Sequence, residues 1–127
     1  RELSNTIADQ VSAQLTAITP QPPYVGGYEL KTVPAMTNSL GTMSFGVLAE
    51  AINGCTTRYL HDTGRRNVLV EGLNLTTFRP IQLESVVTVL LRELEMTRHD
   101  ATLDVDVLSD GVQVAKAIVT CQLLERN

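Results

Sequence analysis

Hydrophobic positions between residues 38 and 60 recur at the spacing of an α-helix. Phe45, Leu48, Ile52, Cys55 and Tyr59 follow one another at intervals of three or four residues, which places them on one face. The opposite face is polar but carries a single acidic residue and no lysine, whereas an exposed helix face normally carries more charge. The pattern predicts a long central helix with its apolar face in the core and its polar face covered by a partner subunit or a ligand.

The start of this helix is a predicted place for a bound oxygen atom. Thr42 or Ser44 is suited to cap the helix, which leaves other backbone N–H groups free in the first turn. Gly46 and Gly54 lie inside the helix, although each costs about 1 kcal/mol relative to alanine. Such glycines indicate close approach to a sheet or a bound group, and the helix dipole favours a carbonyl or anionic oxygen. The alternative is a tightly packed buried helix without a ligand.

Downstream of residue 67 the hydrophobic period changes from 3.6 to 2, which predicts strands. Within this region Asp110-Gly111 is a hairpin signal. The predicted strands are 28–33, 68–79, 83–97, 100–108 and 112–124. A strand, a long helix and a four-stranded meander make an α+β domain, in which the helix packs against a curved antiparallel sheet. The exposed edge of such a sheet favours a homodimer or higher homo-oligomer formed by strand pairing.

The segment before the first strand predicts a separate lead-in helix. Apolar residues within 1–19 recur at helical spacing, and prolines and glycines within 20–27 then break the chain. We therefore assign residues 1–24 to a lead-in helix and linker, and residues 25–127 to the main domain. Because the chain begins at Arg1 and not at methionine, we expect it to be a module cut from a longer protein.

The composition narrows the classes of function. The chain has 127 residues, a hydrophobic fraction of 43% and a net charge of −4, which is typical of one globular, mildly acidic domain. This charge argues against general nucleic-acid binding, which requires a basic face. No apolar run approaches the roughly 18 residues of a membrane helix, and neither a signal peptide nor a lipidation motif is present, so we expect a cytoplasmic protein.

The cysteines and histidines give no pattern for a metal site. Cys55 and Cys121 stand in apolar runs without CxxC or His–Cys spacing, and His61 and His99 are far apart in the sequence. We therefore expect buried thiols that pack as small hydrophobic groups, and no metal cofactor.

Three short motifs, in this order of elements, resemble the hot-dog fold of the acyl-CoA thioesterase superfamily. They are the helix start with Asn38, Gly41, Ser44-Phe45-Gly46 and Asn53, the strand end Thr77-Phe78-Arg79-Pro80-Ile81, and Asp110-Gly111 before Val114-Ala115-Lys116-Ala117. The resemblance covers roughly residues 25–126 and implies a long helix wrapped by a curved antiparallel sheet. Hot-dog proteins hydrolyse, dehydrate or merely bind thioesters, so the fold leaves the activity open.

A closer resemblance is to the C-terminal hot-dog domain of Gram-positive bacterial proteins that carry DRTGG and CBS modules upstream. The runs that carry it are MTNSLGTMSFGVL, VEGLNLTTFRPIQLES and AKAIVTCQLLE. Because CBS modules are associated with sensing adenine nucleotides, this resemblance implies regulation. It favours an acyl-CoA binding or sensing module of a multidomain protein, with a coenzyme A thioester as ligand and no further cofactor.

The resemblance also implies roles for single residues. In hot-dog thioesterases the helix start polarises the thioester carbonyl and a carboxylate activates water. The amide of Gly46 suits the first role, and Asn38 is placed to orient water or substrate. The position of the acid is Asn53, which cannot act as a base, and Glu50 is the remaining acid on that face. Asn38, Glu50 and Asn53 are the candidate catalytic residues, and the departure at Asn53 favours binding over hydrolysis.

Substrate contacts are expected in the same loop and at one arginine. The candidates are Gly41, Ser44, Phe45, Gly46 and Arg79. Among them Ser44 suits helix capping better than nucleophilic attack, because no histidine is placed in sequence to activate it.

Three functions stay open at this point. The first is acyl-CoA binding without hydrolysis, with Arg65, Arg66 and Arg98 as further candidates for phosphate contacts beside Arg79. The second is an active acyl-CoA thioesterase that uses Glu50 and Asn38. The third is a structural dimerisation domain.

Overall fold

One long helix and six antiparallel strands dominate the part of the chain that the computed structural model describes, residue 11 and residues 13–124. The strands are β1 (Thr16–Ile18), β2 (Gly26–Lys31), β3 (Val68–Thr77), β4 (Val86–Met96), β5 (Asp100–Ser109) and β6 (Val112–Leu123). The helix is α1 (Phe45–Asp62), which follows a 3₁₀ turn at Pro34–Met36. The sheet order is β1-β2-β4-β5-β6-β3. The predicted α+β architecture of one helix against one antiparallel sheet is confirmed.

Strand β3 lies at the edge of the sheet and not beside β4. The predicted four-stranded meander is wrong in this respect, because β3 pairs with β6 whereas β4 lies between β2 and β5. The connection from β3 to β4 contains Pro80 and packs against the loop before α1. In this connection Ile81 is buried, and its carbonyl oxygen accepts the amide of Met43 at 2.8 Å. The connection therefore forms part of the surface around the helix start and does not make a tight hairpin.

The apolar face of α1 packs into the core. Leu48, Ile52, Cys55 and Tyr59 are buried, as predicted. The prediction for Phe45 is wrong, since this side chain is 59% exposed. As the first residue of the helix, Phe45 lies at the margin of the core and borders a groove. Within the described residues no helix has both the length and the hydrophobicity that a membrane crossing needs.

The end of the predicted lead-in helix is a strand. Residues 1–10 and 12, which carry most of that prediction, lie outside the described residues. Residues 16–18 form β1 and pair with residues 27–29 of β2, so the helix predicted to continue to residue 19 is wrong there. Thr16 and Ile18 are β-branched, and Pro20 disfavours a helical conformation at the residue before it. The last part of the predicted lead-in segment thus adds a strand to the sheet.

The helix α1 ends at a glycine, Gly64. Thr63 is the C-cap, and Gly64 follows with φ +100°, a conformation that favours glycine. The amide of Arg65 donates to the carbonyl of Leu60 at 2.9 Å, and the amide of Gly64 donates to that of His61 at 3.0 Å. These are the paired bonds of a Schellman motif. The last carbonyl groups of the helix therefore have donors, which weakens the negative potential at this end.

Two residues connect β5 to β6, as the Asp-Gly signal predicts. Asp110 with φ +48° and Gly111 with φ +85° both lie in the left-handed region, which a type I′ turn requires. Ser109 pairs with Val112 across the turn. This register places three apolar residues of β5 in the core: Leu103, Val105 and Val107.

The outer face of the sheet carries a buried carboxylate. Asp104 of β5 points away from α1, yet it is 3% exposed because Arg92 of β4 and Lys116 of β6 cover it. Lys116 Nζ lies 2.9 Å from Asp104 Oδ1 and 3.2 Å from Asp106 Oδ1. Burial by itself raises the pKa of Asp104, but hydrogen bonds from Lys116 and Arg92 outweigh it and hold this pKa below its ordinary value. These charges tie three neighbouring strands together.

Candidate functional site

The loop before α1 is held in shape by the side chain of Asn38. Its Oδ1 accepts the backbone amides of Leu40 at 2.9 Å and Thr42 at 3.2 Å. Short polar side chains stabilise turns in this way. Gly41 in the same turn has φ +80°, a conformation that favours glycine. Asn38 and Gly41, two of the predicted site residues, thus shape the loop that leads into the helix, and the amide NH₂ group of Asn38 is the part left to meet a ligand.

The first turn of α1 presents free backbone amides. Ser44 is the N-cap and its Oγ accepts the amide of Val47 at 3.2 Å, which confirms the predicted capping. The amides of Phe45 and Gly46 have no acceptor among the described residues, as expected for the first positions of a helix. A Cβ atom placed on Gly46 would meet nothing within 4 Å, so the space beside this amide is open. Gly46 therefore offers a donor at the positive end of the helix dipole.

A groove of about 310 Å³, here called the helix-start groove, opens beside this turn. It brings together Ser44, Phe45 and Arg79, three of the predicted substrate-binding residues, with Phe78. Phe45 and Phe78 are 59% and 55% exposed, so two aromatic side chains are open to an apolar group. The described residues that line the groove include neither a carboxylate nor a histidine. The groove offers a guanidinium group and apolar surface but no general base.

The end of β3 positions the far wall of this groove. The carbonyl of Val114 in β6 accepts the amide of Phe78 at 2.7 Å and that of Arg79 at 3.3 Å. Phe78 is a site residue that the sequence analysis did not single out, although it stands in the motif of residues 77–81 used there for the fold. The available signal was an aromatic residue directly before Arg79-Pro80, at a point where a strand pattern ends.

Glu50 and Asn53 lie elsewhere, along the exposed face of α1. With Leu15 and Arg58 they border a second groove of about 450 Å³, here called the helix-face groove. Arg58 donates to the carbonyl of Leu15 at 3.0 Å, which holds the chain at residue 15 against the helix. Asn53 Oδ1 is buried and has no hydrogen-bond donor among the described residues. Glu50 and Asn53 stand about 6 and 10 Å beyond Gly46 along the helix axis, so one chain does not bring all the candidate catalytic residues together.

The two cysteines are unsuited to nucleophilic chemistry. Both are buried, as predicted. Burial raises the pKa of Cys55 to about 12 and that of Cys121 to about 11. Both groups therefore stay protonated thiols at neutral pH, and the thiolate is the reactive form.

No protein-family model matches the sequence. Among curated proteins, the uncharacterized protein YtoI of Bacillus subtilis (strain 168) is 37% identical over 100 residues. These residues make up 79% of this chain and 23% of YtoI, so the chain spans less than a quarter of that relative.

Solved structures of thioesterases superpose on this chain. A hypothetical thioesterase of Streptococcus pneumoniae TIGR4 with coenzyme A has a TM-score of 0.82 at 16% identity, over 99% of this chain and 98% of that one. The chain has the hot-dog fold. Zebrafish thioesterase superfamily member 2 gives 0.79 at 19% identity, over 97% and 94% of the two chains. A thioesterase of Thermus thermophilus complexed with coenzyme A and Zn gives 0.71 at 19% identity, over 80% and 86%. At these identities the likeness establishes the hot-dog fold and not an activity.

Proposed function

We propose that this hot-dog domain binds an acyl-CoA thioester at the helix-start groove and does not hydrolyse it. The observation that carries the proposal is the open start of α1, where the amides of Phe45 and Gly46 stand free beside a groove without a carboxylate. A thioester carbonyl accepts such amides, and Arg79 offers a cation to a phosphate group. Two thioesterases of this fold contain coenzyme A in their structures, which supports the same ligand class here.

Binding without hydrolysis follows from the placement of the acidic groups. A carboxylate base has to reach the water that attacks the thioester carbonyl. Asn53 stands where the resemblance to thioesterases calls for the acid, and its amide does not take up a proton at neutral pH. Glu50 is exposed on the helix-face groove, one turn beyond the amide of Gly46. The domain thus keeps the polarising amide and lacks the matched base.

The complete site is proposed to form between two copies of the chain. Of the described strands, β3 pairs with β6 alone, so its outer edge is open to a second β3. The described residues also leave part of the polar face of α1 uncovered, at the helix-face groove. A second copy would pair with the open edge of β3 and cover the polar face of α1. We therefore propose a homodimer, or a higher oligomer built from it.

The domain is further proposed to be a module of a longer regulatory protein. The matched segment is 23% of YtoI, which supports a chain with additional domains. The resemblance to hot-dog domains that follow DRTGG and CBS modules supports a sensing role for those additional domains. An acyl-CoA ligand suits a cytoplasmic protein, and the thioester is the ligand that this proposal requires, without a further cofactor.

Titration of the chain with acetyl-, hexanoyl-, phenylacetyl- and palmitoyl-CoA tests the proposal. We expect calorimetric binding of at least one of them, with no release of free coenzyme A detected by a thiol reagent over hours. Turnover at about 1 s⁻¹ or faster, an ordinary enzyme rate, would establish a thioesterase instead. A stable dimer that binds none of the four would leave dimerisation as the function.

The Gly46→Ala variant separates binding from folding. Its Cβ atom meets nothing within the chain, so the free energy of unfolding should stay the same or rise by up to about 1 kcal/mol. The added methyl group narrows the approach to the amide, and we expect acyl-CoA binding to weaken about tenfold. Glu29→Gln, at an exposed position of β2 away from the helix-start groove, is the control. Equal affinities of the two variants would contradict a ligand at Gly46.

A second candidate function, hydrolysis, is favoured by the exposure of Glu50 beside Asn53. If a partner subunit brings Glu50 to the thioester, Glu50→Gln should lower kcat at least about 100-fold, the usual effect of a lost general base. The rate of coenzyme A release measures this effect, with Glu29→Gln on β2 as the control. Any hydrolysis that survives Glu50→Gln unchanged removes Glu50 from the mechanism.

A further inference from the structure

A third cleft, of about 530 Å³, lies at the C-terminal end of α1. Arg65, Arg66 and Arg98 line it, and we call it the arginine cleft. None of the described residues that line it is acidic, although the whole chain has a net charge of −4. Three of the four arginines considered from the sequence for phosphate contacts are thus collected at one place, and the fourth, Arg79, lies at the helix-start groove.

Backbone hydrogen bonds fix the walls of the arginine cleft. The amide of Leu124 donates to the carbonyl of Asn67 at 2.8 Å, and the amide of Leu123 donates to the carbonyl of His99 at 2.7 Å. These bonds join the end of β6 to the start of β3 and to the β4–β5 turn that carries Arg98. The Schellman motif at the end of α1 fixes the remaining wall. The cleft is therefore built by ordered backbone and does not depend on a chance approach of long side chains.

The side chains of this cleft suit phosphate oxygen atoms. A guanidinium group presents a planar fork of N–H donors that binds two oxygen atoms at once. Arg65 uses its Nη1 to donate to the carbonyl of Thr63 at 3.1 Å, which orients the group and leaves its other donors available. Arg66 is exposed. Leu124 is 45% exposed and adds an apolar surface beside these cations.

We propose that the arginine cleft binds a nucleotide that carries at least two phosphate groups. The guanidinium groups of Arg65 and Arg66 suit a pair of phosphates, the apolar wall suits a base or ribose, and the volume falls within the range of small-molecule sites. The 18 residues of α1 span about 27 Å between this cleft and the helix-start groove. Within one chain the two sites are distinct, so nucleotide binding does not require the proposed thioester site.

Calorimetric titration of the 127-residue chain with ADP tests this site. We expect saturable binding that weakens as salt increases, and at least about tenfold weaker binding of adenosine, because phosphate contacts carry the affinity. Arg66→Gln should weaken ADP binding about tenfold, the usual loss of one charge-assisted contact. Lys31→Gln removes one exposed positive charge from β2 and should change ADP binding less than about twofold. Arg66→Lys should recover part of the loss, since it keeps the charge but not the fork.

Several results would overturn the proposal. They are absence of ADP binding at millimolar concentration, equal binding of adenosine and ADP, or equal effects of Arg66→Gln and Lys31→Gln. Competition identifies the source of the phosphates: displacement of ADP by coenzyme A means that the cleft holds the phosphates of coenzyme A, and simultaneous binding means a separate nucleotide. Both of these results support the site. Gly46→Ala should weaken acyl-CoA binding but keep full ADP binding. The two titrations therefore test the thioester site and the arginine cleft independently.

Discussion

Replacing Ile52 with alanine is expected to lower the free energy of unfolding by about 2 to 5 kcal/mol. Ile52 lies in the middle of α1 and has no exposed surface. Removal of its side chain leaves a cavity between the helix and the sheet, because the surrounding strands relax only in part. Urea denaturation followed by circular dichroism measures the change, with the slope of the transition unchanged if the two states remain the same.

Leu40→Ala is the control for this prediction. Leu40 is a similar aliphatic side chain that is 84% exposed in the loop before the helix. Its removal should change the free energy of unfolding by no more than about 0.5 kcal/mol. An Ile52→Ala variant as stable as Leu40→Ala would mean that the sheet does not enclose the helix.

Asp104→Asn is expected to lower the free energy of unfolding by about 3 kcal/mol at pH 7. Asp104 neutralises Arg92 and Lys116 on the outer face of the sheet, and the variant leaves both cations without this partner. The estimate takes the lower end of the range for a broken buried ion pair, because the side chains of Arg92 and Lys116 are 42% and 44% exposed and can turn to water. Glu29→Gln on β2 is the control, since this exposed charge should matter little.

The same substitution should change the response of stability to pH. The pKa of Asp104 is lowered in the folded chain, so its contribution is complete above the ordinary aspartate value of about 3.9 and is lost as pH falls through the lower folded value. A hydrogen bond to Asp104 raises the pKa of Lys116, so that contribution is complete below about pH 10 and is lost at higher pH. The stability difference between wild type and Asp104→Asn should therefore shrink at both extremes. A difference that stays constant from pH 3 to pH 7 would contradict the ion pair.

Local signals in the sequence predicted the elements of this fold because neighbouring residues decide them. Ser44 caps the helix through an amide three residues away. Asp110-Gly111 fixes a two-residue turn by the same kind of local preference. In each case the conformation is selected by interactions among residues a few positions apart.

Features that depend on distant partners were not predictable in this way. The pairing of β3 with β6 joins residues that are far apart in the sequence, and a period of two says only that a strand exists. Thr16 illustrates the same limit, because a helical pattern of apolar residues did not reveal that β2 offers it a strand partner. Phe45 fits the apolar stripe by spacing, but its exposure depends on where the sheet ends.

Only part of the candidate site was predictable from the sequence. The resemblance to thioesterases gathers Ser44, Phe45 and Arg79, and the structure places these residues at one groove. Glu50 and Asn53 belong to another surface, since about 6 to 10 Å of helix separates them from Gly46. Their proposed chemical roles depend on a second copy of the chain.

Because β3 pairs only with β6 among the described strands, it cannot join the sheet until that strand has been synthesised. The ribosome makes β3 before β4 and β5, yet the strand that pairs with β3 is β6, which emerges later than both. During this interval the backbone groups of β3 have no sheet neighbour, and Leu73 and Leu75 lack their cross-strand partners Val119 and Ala117. A nascent chain therefore exposes an unpaired, partly apolar strand until β6 is complete, which makes β3 the segment that a chaperone would have to shield.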